Sequence, residues 1–501
     1  MKNKIFLALL VLVCSFSCSD LEEELREDLT AEEAAKLVDV SSLLAASYDG
    51  MRTFQDVARY HMVTQMHTSD ELLGPTRGPD WDDNGIWRSL HSHTWAADHA
   101  YLAASFSEIL QVVFNTTNLL NFNPSTQQAA EARFLRAFCV FAIADGWGQV
   151  PFREAGTSLL EDAQVLSAQE ALDFIIDEMN DIMGDLPDGP AYVANKDAAK
   201  GLLIKTYLNK GAFLNRQSPT FDQGDMNQVI SLADQIINSG KYSLGNYFDN
   251  FAPNNDEIST ENIFTGENRG GSSSGAVRSR WFCGLHYNQN PSGWNGFTTL
   301  SDFYDSFGDP DDVRLGGDYA GQTDVGGLKT GFLVGQQLDQ NGTALLDRKG
   351  NALAFTREVA LRETGNNLEI TGIRVIKYTV DYNGGDNADN DYVFYRLADV
   401  MLMKAEAQLR NGDPSSALAI VNQIRVARNA DALGSLDLDV LLAERGRELY
   451  WEGHRRTDLI RFGKFLNAWQ EKAASGPERL LFPIPAQSLA GNPNLVQNPG
   501  Y

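Results

Sequence analysis

The sequence predicts a mainly α-helical fold that combines tetratricopeptide-like helix pairs with a loop-rich part containing short strands. Apolar residues recur at helical spacing through most of the chain. Between about residues 240 and 394, glycine, asparagine and aspartate become frequent and the helical spacing is lost. One pair of predicted helices also carries small residues where the two helices would cross.

The helical spacing predicts nine helices. They fall at 31–53, 105–121, 129–147, 168–186, 197–214, 226–239, 395–410, 415–428 and 436–453. A first irregular stretch runs from 74 to 95, and a second occupies 240–394. Within the second stretch, the β-prone runs 262–264 and 371–375 predict short strands or hairpins.

The helix pair near residue 405 has the spacing of a tetratricopeptide unit. Small alanines, including Ala405 and Ala407, alternate with larger apolar residues on one face, and residues 411–414 turn the chain into a return helix. Small residues at the crossing let two helices approach closely, as such repeats require. The segments 200–214 and 226–237 repeat this arrangement with a longer connection.

The N-terminus has the pattern of a lipoprotein export signal. Lys2 and Lys4 precede an apolar run at 5–13, which is far shorter than the roughly 20 residues a membrane span needs. Small residues then lead to Cys18, whose thiol we expect to be lipidated. An ordinary secretory signal with an incidental cysteine is the alternative. The polar, acidic run that follows suits a solvated tether.

The predicted organisation is therefore a signal peptide, a tether and one domain. The signal peptide covers 1–17, the lipidated acidic tether 18–30 and the single domain 31–501. Within the domain, we expect the helix-pair body at about 31–73, 96–239 and 395–465. The loop-rich, ligand-binding part then falls at about 74–95 and 240–394.

Charge and cysteine content exclude several functions. The formal net charge is -26, and removal of residues 1–17 takes away two lysines and no acidic residue, which gives -28. Nucleic-acid binding depends on neutralised phosphates, so a chain this acidic is not expected to bind nucleic acid, and a neutral ligand is favoured. After processing only Cys139 and Cys283 remain, and no cysteine spacing suggests zinc.

Several segments together resemble the SusD/RagB family of surface glycan-binding lipoproteins from Bacteroidetes. They occur in the order found in that family and reach both ends of the chain. Besides the lipidation signal, they are 131–137, 146–152, 395–407, 422–428, 444–449, 452–459, 483–485 and 492–501. The resemblance implies a single SusD-like helical domain that binds glycan through its loops. It also implies a location on the outer membrane, facing the cell exterior, where the protein lies as a lid over its partner, a SusC-like TonB-dependent transporter.

Charged clusters invite other interpretations. Glu444, Glu448 and Glu452 stand near arginines and His454, and carboxylates beside a histidine could act in acid/base chemistry. Their i, i+4 spacing beside Arg445 and Arg447 instead favours a structural ion-pair network. Glu131, Arg133 and Arg136 are likewise expected to be structural.

Neither of two possible metal sites matches a metal motif. His61 and His67 lie near Asp70 and Glu71 with no specific ligand spacing. The aspartates around Pro310 lack a calcium-loop ligand pattern, so Asp312 and Arg314 are expected to form a structural turn. We therefore expect no metal and no cofactor.

Aromatic residues in the irregular stretches are the candidate glycan-binding residues. A sugar ring presents C–H groups on its face and hydroxyls on its rim, so it suits an aromatic ring flanked by amides, carboxylates and arginine. Loop tryptophans can equally pin loops to the body, which is the favoured interpretation for Trp95. The candidate set is Trp81, Trp281, Trp294, Tyr287, Arg77, Asp80, Asn84, Trp87 and Asn295.

The leading hypothesis is a non-catalytic lipoprotein that captures oligosaccharide or polysaccharide and delivers it to a SusC-like transporter. A surface glycoside hydrolase is the first alternative, although no pair of carboxylates is singled out by its setting. A peptide- or protein-binding tetratricopeptide scaffold is the second. Acidic charge favours a neutral glycan, but Arg77, Arg278 and Arg280 could reverse that preference.

Overall fold

The computed structural model describes residues 38–270 and 276–501, of which 40–501 belong to one compact unit. The predicted signal peptide, the lipidation site Cys18 and the tether at 18–30 lie outside the described residues. So does the start of the helix predicted at 31–53.

The described residues form the following elements. The α-helices are α1 (Val40–Gly50), α2 (Ile86–His91), α3 (Ala100–Leu119), α4 (Thr126–Trp147), α5 (Ala168–Ile182), α6 (Lys196–Leu214), α7 (Gln223–Ile237), α8 (Asn255–Ile258), α9 (Ser279–Phe282), α10 (Ser301–Asp305), α11 (Thr323–Gly326), α12 (Leu397–Arg410), α13 (Pro414–Ala427), α14 (Leu438–Leu449), α15 (Arg455–Arg461) and α16 (Ala486–Gly491). The strands are β1 (Thr76–Arg77), β2 (Gln149–Phe152), β3 (Gln164–Ser167), β4 (Asn262–Gly266), β5 (Gly331–Leu333), β6 (Gly335–Gln336), β7 (Ala354–Phe355), β8 (Arg362–Glu363), β9 (Arg374–Ile376) and β10 (Tyr392–Arg396).

Side-chain caps fix where most of the long helices begin. Ser125 and Ser167 form capping boxes with Gln128 and Glu170 at the starts of α4 and α5. Asn195 accepts hydrogen bonds from two backbone N–H groups at the start of α6. Such caps satisfy donors that the helix itself leaves unpaired, which is why these starts lie within a few residues of the predicted ones.

The long helices form a continuous array. From α3 to α7 each helix packs on the next, and α12 then packs on α7 and carries α13 on its other side. Ala405 and Ala407 are fully buried on α12, as the tetratricopeptide-like spacing requires. The predicted mainly helical fold with paired helices is confirmed. None of the helices in the described ranges is long and apolar enough to cross a membrane.

The loop-rich part enters the array between α7 and α12 and is closed at its root by two strands. β4 lies near its start and β10 at its end, and the two pair antiparallel from Asn262–Arg396 to Gly266–Tyr392. The hydrogen bond from Leu397 N to Glu261 O (2.9 Å) extends this pairing to the first residue of α12. The chain near the start of the insertion is therefore hydrogen-bonded to the chain at its end, directly before α12.

Several predicted boundaries need correction. Tyr395 and Arg396 end β10 instead of starting a helix, because their backbone groups pair with β4. The predicted strand at 371–375 lies at Arg374–Ile376, and α14 ends at Leu449, before the predicted 453. The first irregular stretch, 74–95, contains the short helix α2, and a π-helix at His61–Met66 was not predicted.

An eight-residue repeat organises one side of the insertion. Asp339 and Asp347 each accept hydrogen bonds from the backbone N–H groups two and four residues later. The backbones of Gln337, Leu345 and Leu353 are joined in a closed ring of three hydrogen bonds of 2.8–2.9 Å. The Gln336 side-chain amide donates to the carbonyl oxygen of each of these three residues. The repeat is therefore a small, internally bonded unit.

A fully buried ion-pair network joins the insertion to the helices. Glu448 on α14 accepts hydrogen bonds from Arg314 (3.0 Å), Arg396 (2.7 Å) and Arg428 (2.9 Å). Around it lie further buried partners, namely Asp312, Glu261, Glu444, Glu452, Lys377, Arg425 and Arg447. The structural interpretation of the glutamates and of the Asp312–Arg314 turn is confirmed.

The partners of this network differ from those predicted. Glu448 pairs with Arg314, Arg396 and Arg428, each at least 20 residues away in sequence. Arg445 instead pairs with Asp399 and Asp458. Of the two predicted partners, only Arg447 joins a member of the glutamate series, Glu444. Burial alone would raise the pKa of Glu444, but Arg314, Arg447 and Arg425 lower it to about 2. The network is thus ionised at neutral pH.

Glu448→Ala is expected to lower the free energy of unfolding by about 3–5 kcal/mol, because three buried guanidinium groups lose their shared carboxylate. Urea unfolding at pH 7, followed by circular dichroism, measures the change. Asp439→Ala on the same helix is the matched control, since the Asp439–Lys464 pair is largely exposed and such pairs contribute about 0–1 kcal/mol. Equal effects of the two substitutions would contradict the assigned role of Glu448.

Candidate functional site

Backbone pairing brings the two irregular stretches together. β1 pairs in parallel with β8, and isolated bridges join Leu73 to Thr298 and Thr299 to Ile373. The Arg77 side chain lies buried between them and donates to Leu368 O and Thr371 O, each at 2.8 Å. Burial lowers the pKa of Arg77 to about 10, so the guanidinium stays protonated at neutral pH. Arg77 therefore fastens the loops that carry the candidate site.

Trp81 and Trp294 form a joined pair at the surface. The indole Nε1–H of Trp81 donates to Trp294 O at 2.9 Å, and the two ring centroids are 6.1 Å apart. The Trp81 ring rests on Gly296, where an added Cβ would lie 2.3 Å from it. Trp81 has φ +59°, in the left-handed region that is costly for a large residue. A residue keeps such a strained backbone conformation only where surrounding contacts impose it, and strained residues are common at ligand sites.

Trp294 is the exposed member of this pair. All eight tryptophans lie in the described part of the chain, and Trp294, at 52% exposure, is the one classed as exposed. Its ring meets the half-buried ring of Phe282 edge-on at 4.8 Å. The Arg278 guanidinium stacks on Phe282 at 3.8 Å and pairs with Asp386 at 2.9 Å. We call Trp81, Phe282 and Trp294 the aromatic platform.

Tyr287 belongs to a polar group anchored to the same loops. Its hydroxyl donates to Asp80 Oδ2 at 3.3 Å, and Asp80 directly precedes Trp81. The Arg348 guanidinium stacks on the Tyr287 ring at 3.8 Å and donates to Glu369 at 2.7 Å. Burial raises the pKa of Glu369, but bonds from buried His286 and from Arg348 outweigh it and lower the pKa below its usual value. The carboxylate thus holds Arg348 in place.

The structure separates the predicted site residues into exposed and buried sets. Trp294, Asp80 and Asn84 are exposed, and Trp81 and Tyr287 are half-buried. The remaining four are buried, with exposed fractions of 1% for Trp281, 3% for Trp87, 3% for Arg77 and 1% for Asn295. Their side chains offer no surface to a glycan, so the prediction that they contact ligand is corrected. They instead support the loops.

The buried residues have defined supporting contacts. The Trp87 indole donates to Asp83 Oδ2 at 2.7 Å and its ring packs on His67 and Phe297. Asn295 Oδ1 accepts from Arg374 at 2.8 Å. Trp95 is buried as well and donates to the Tyr501 hydroxyl, as expected for a residue that pins a loop.

The structure also locates the arginine, histidine and cysteine residues that the sequence analysis considered. Arg280 is buried, lies on Met62 and Met66 and stacks on Tyr392, so it does not face solvent. His61 and His67 are buried too, and burial lowers the pKa of both well below its usual value. Among the described residues, no group of three or more His, Cys, Asp or Glu side chains could hold a metal ion. Cys139 and Cys283 are free and buried.

Sequence reasoning missed Phe282 and Arg348. Phe282 stands next to Trp281, and nothing in the local pattern shows that the phenylalanine, not the tryptophan, faces outward. Arg348 lies in the second copy of the eight-residue repeat, whose Asp-x-x-Gly turns at 339–342 and 347–350 are visible in the sequence. Detecting that repeat would have shown that Arg348 occupies a fixed turn.

Known proteins resemble this chain over most of its length. The model of the SusD family matches residues 260–501. The starch-binding protein SusD of Bacteroides thetaiotaomicron is 26% identical over 469 aligned residues, covering 84% of this chain and 82% of that protein. A laminarin-binding SusD-like protein of known structure has a TM-score of 0.71 at 20% identity, covering 92% of this chain and 99% of that one. A SusD superfamily protein from Parabacteroides distasonis has a TM-score of 0.72 at 18% identity, covering 94% and 100%. The predicted SusD-like fold is confirmed.

Gly296→Ala is expected to displace the Trp81 ring, because the new Cβ would overlap it. The near-ultraviolet circular dichroism of the paired tryptophans should weaken while the far-ultraviolet spectrum stays unchanged. The free energy of unfolding should fall by about 1–3 kcal/mol, the usual cost of overpacking. Gly317→Ala is the control, since a Cβ there meets nothing within 4 Å. An unaltered near-ultraviolet spectrum would show that Gly296 does not support the platform.

Proposed function

The chain is a member of the SusD/RagB family, and from that premise we propose that it is a non-catalytic glycan-binding protein. The observation that carries the proposal is the exposed ring of Trp294, supported from behind by Trp81 and Phe282. Exposed apolar surface rimmed by polar residues marks interaction sites. The flat apolar face of the indole fits the C–H face of a sugar ring, and the exposed side chains of Asp80 and Asn84 flank Trp81 in sequence.

A neutral glycan fits this surface better than an acidic one. Of the three arginines that could attract an anionic sugar, Arg77 and Arg280 are buried and Arg278 is paired with Asp386. The net charge of -26 repels polyanions at longer range. Relatives are named for binding starch and laminarin, which are both neutral glucose polymers. We therefore propose a neutral oligosaccharide or polysaccharide as the ligand.

Binding without hydrolysis is the simplest use of this surface. A glycosidase needs two carboxylates placed across the scissile bond, one of them able to donate a proton. Near the platform, Asp80 accepts from Tyr287, Asp83 accepts from Trp87, and Asp82 pairs with Arg88. Each of these carboxylates is committed to a structural partner.

We further propose that the protein is anchored to the outer membrane through Cys18, faces the cell exterior and hands its glycan to a SusC-like TonB-dependent transporter. The lipoprotein signal at 1–18 and the acidic tether support the anchor. Family membership supports the transporter as partner. A peptide ligand is the competing candidate for the platform, and binding assays with glycans and peptides separate the two.

Trp294→Ala is expected to lower the affinity for neutral polysaccharide at least about tenfold, equivalent to about 1.4 kcal/mol, because it removes the exposed ring face. Affinity gels and calorimetry with starch, laminarin and other neutral glycans measure the loss. Phe114→Ala is the matched control, since Phe114 is an aromatic residue at 43% exposure on α3.

Three outcomes would count against this function. Unchanged glycan affinity of Trp294→Ala would remove the platform from the site. Release of reducing sugar by the purified wild-type protein would replace binding with hydrolysis. Binding of peptides but of no glycan would favour the protein-binding scaffold.

Cys18→Ala is expected to abolish lipid attachment and release the protein from membranes. Metabolic labelling with a radioactive fatty acid, followed by fractionation of cells, measures both effects. Cys14→Ala, a cysteine within the predicted signal peptide, is the control and should leave labelling intact. Labelling that persists in Cys18→Ala would show that another residue carries the lipid.

A further inference from the structure

A cavity opens near the loop that carries Trp294. Its volume is about 530 Å³, within the range of about 300–1,000 Å³ typical of ligand pockets. Two half-buried tyrosines, Tyr319 and Tyr382, line it together with Asp381, Asn383 and Asp389. We call it the tyrosine cleft.

Both tyrosine rings of the cleft are held in position by their hydroxyl groups. Tyr319 donates to Asp249 Oδ1 at 2.8 Å, and Tyr382 donates to Asn290 O at 2.7 Å. Fixed rings make a prepared site for a sugar, because the ligand can bind without first ordering them.

The tyrosine cleft adjoins the aromatic platform. Tyr382 contacts Asn290, which is four residues from Trp294, and four residues span at most about 14 Å. A second connection runs through Arg278, which stacks on Phe282 of the platform and pairs with Asp386 in the loop that lines the cleft. One extended molecule can therefore reach both places.

The residues that line the tyrosine cleft also favour one charge class of ligand. Asp381 and Asp389 line the cleft, and no lysine or arginine does so within the described part of the chain. Uronic or sulfated sugars would meet like charge there, which is destabilising. The cleft thus favours a neutral chain.

We propose that the glycan site extends from Trp294 into the tyrosine cleft, so that the ligand is a neutral oligosaccharide longer than a disaccharide. This inference rests on the proposed function. A chain that occupies both places binds the second without a further bimolecular step, so its affinity exceeds that of a short sugar that reaches only one.

A series of maltooligosaccharides and a series of laminarioligosaccharides, from the disaccharide to the heptasaccharide, test the proposal by calorimetry on the mature chain. Wild-type affinity should rise about tenfold or more with length. Tyr382→Ala should flatten this dependence, whereas Trp294→Ala should weaken binding at every length. Ala320→Leu is a second variant at an exposed position lining the cleft, and it should flatten the dependence by filling space.

Tyr207→Ala, which removes another half-buried tyrosine on α6, is the control and should keep the wild-type length dependence. Wild-type affinity that does not rise with length overturns the extended site, and so does a length dependence that persists in both cleft variants. In either of these cases, loss of glycan affinity in Trp294→Ala would still support the proposed function. If neither series binds to the wild-type protein, both the extended site and the assignment to neutral glucans fail.

Discussion

Glu448 is the carboxylate on which the architecture depends. Its side chain accepts hydrogen bonds from Arg314 within the insertion, Arg396 at its exit and Arg428 after α13. Its backbone carbonyl also accepts from Tyr247 and Lys377. One helical turn thus holds segments more than 150 residues apart in sequence. A buried charge is tolerated only when fully paired, so these segments must all be in place for any one of them to be stable.

This arrangement explains how a platform made of loops can be rigid. In its described residues, the insertion has only two-stranded sheets and short helices, which would be marginal on their own. Three kinds of contact compensate: the network around Glu448 beneath it, the Arg77 guanidinium bound to carbonyls between its loops, and the eight-residue repeat that carries Arg348. A rigid aromatic surface loses little conformational entropy on binding, which favours affinity for a weakly interacting sugar.

The helical array could be predicted from sequence, and much of the candidate site could not. Helices carry their own signals in a 3.6-residue period and in caps such as Ser125 and Ser167. Irregular segments have no period, so Trp281 and Trp294 looked alike although one is buried and the other exposed. Whether such a ring is buried or exposed is decided by contacts with residues distant in sequence; Trp81, for example, packs on Gly296. The same limit applies to Glu448. Its i, i+4 spacing from Glu444 and Glu452 suggested ion pairs along one helix, whereas its arginine partners come from other segments.

The two-stranded root formed by β4 and β10 has an evolutionary consequence. Because β4 near the start of the insertion is hydrogen-bonded to β10 at its end, a change in the length of the loops between these strands need not move α7 or α12. Long surface insertions whose ends are already close carry a small entropic cost. Selection can therefore change the part of the recognition surface that lies between β4 and β10 while it conserves the helical scaffold. New ligand specificities can arise in this architecture without a new fold.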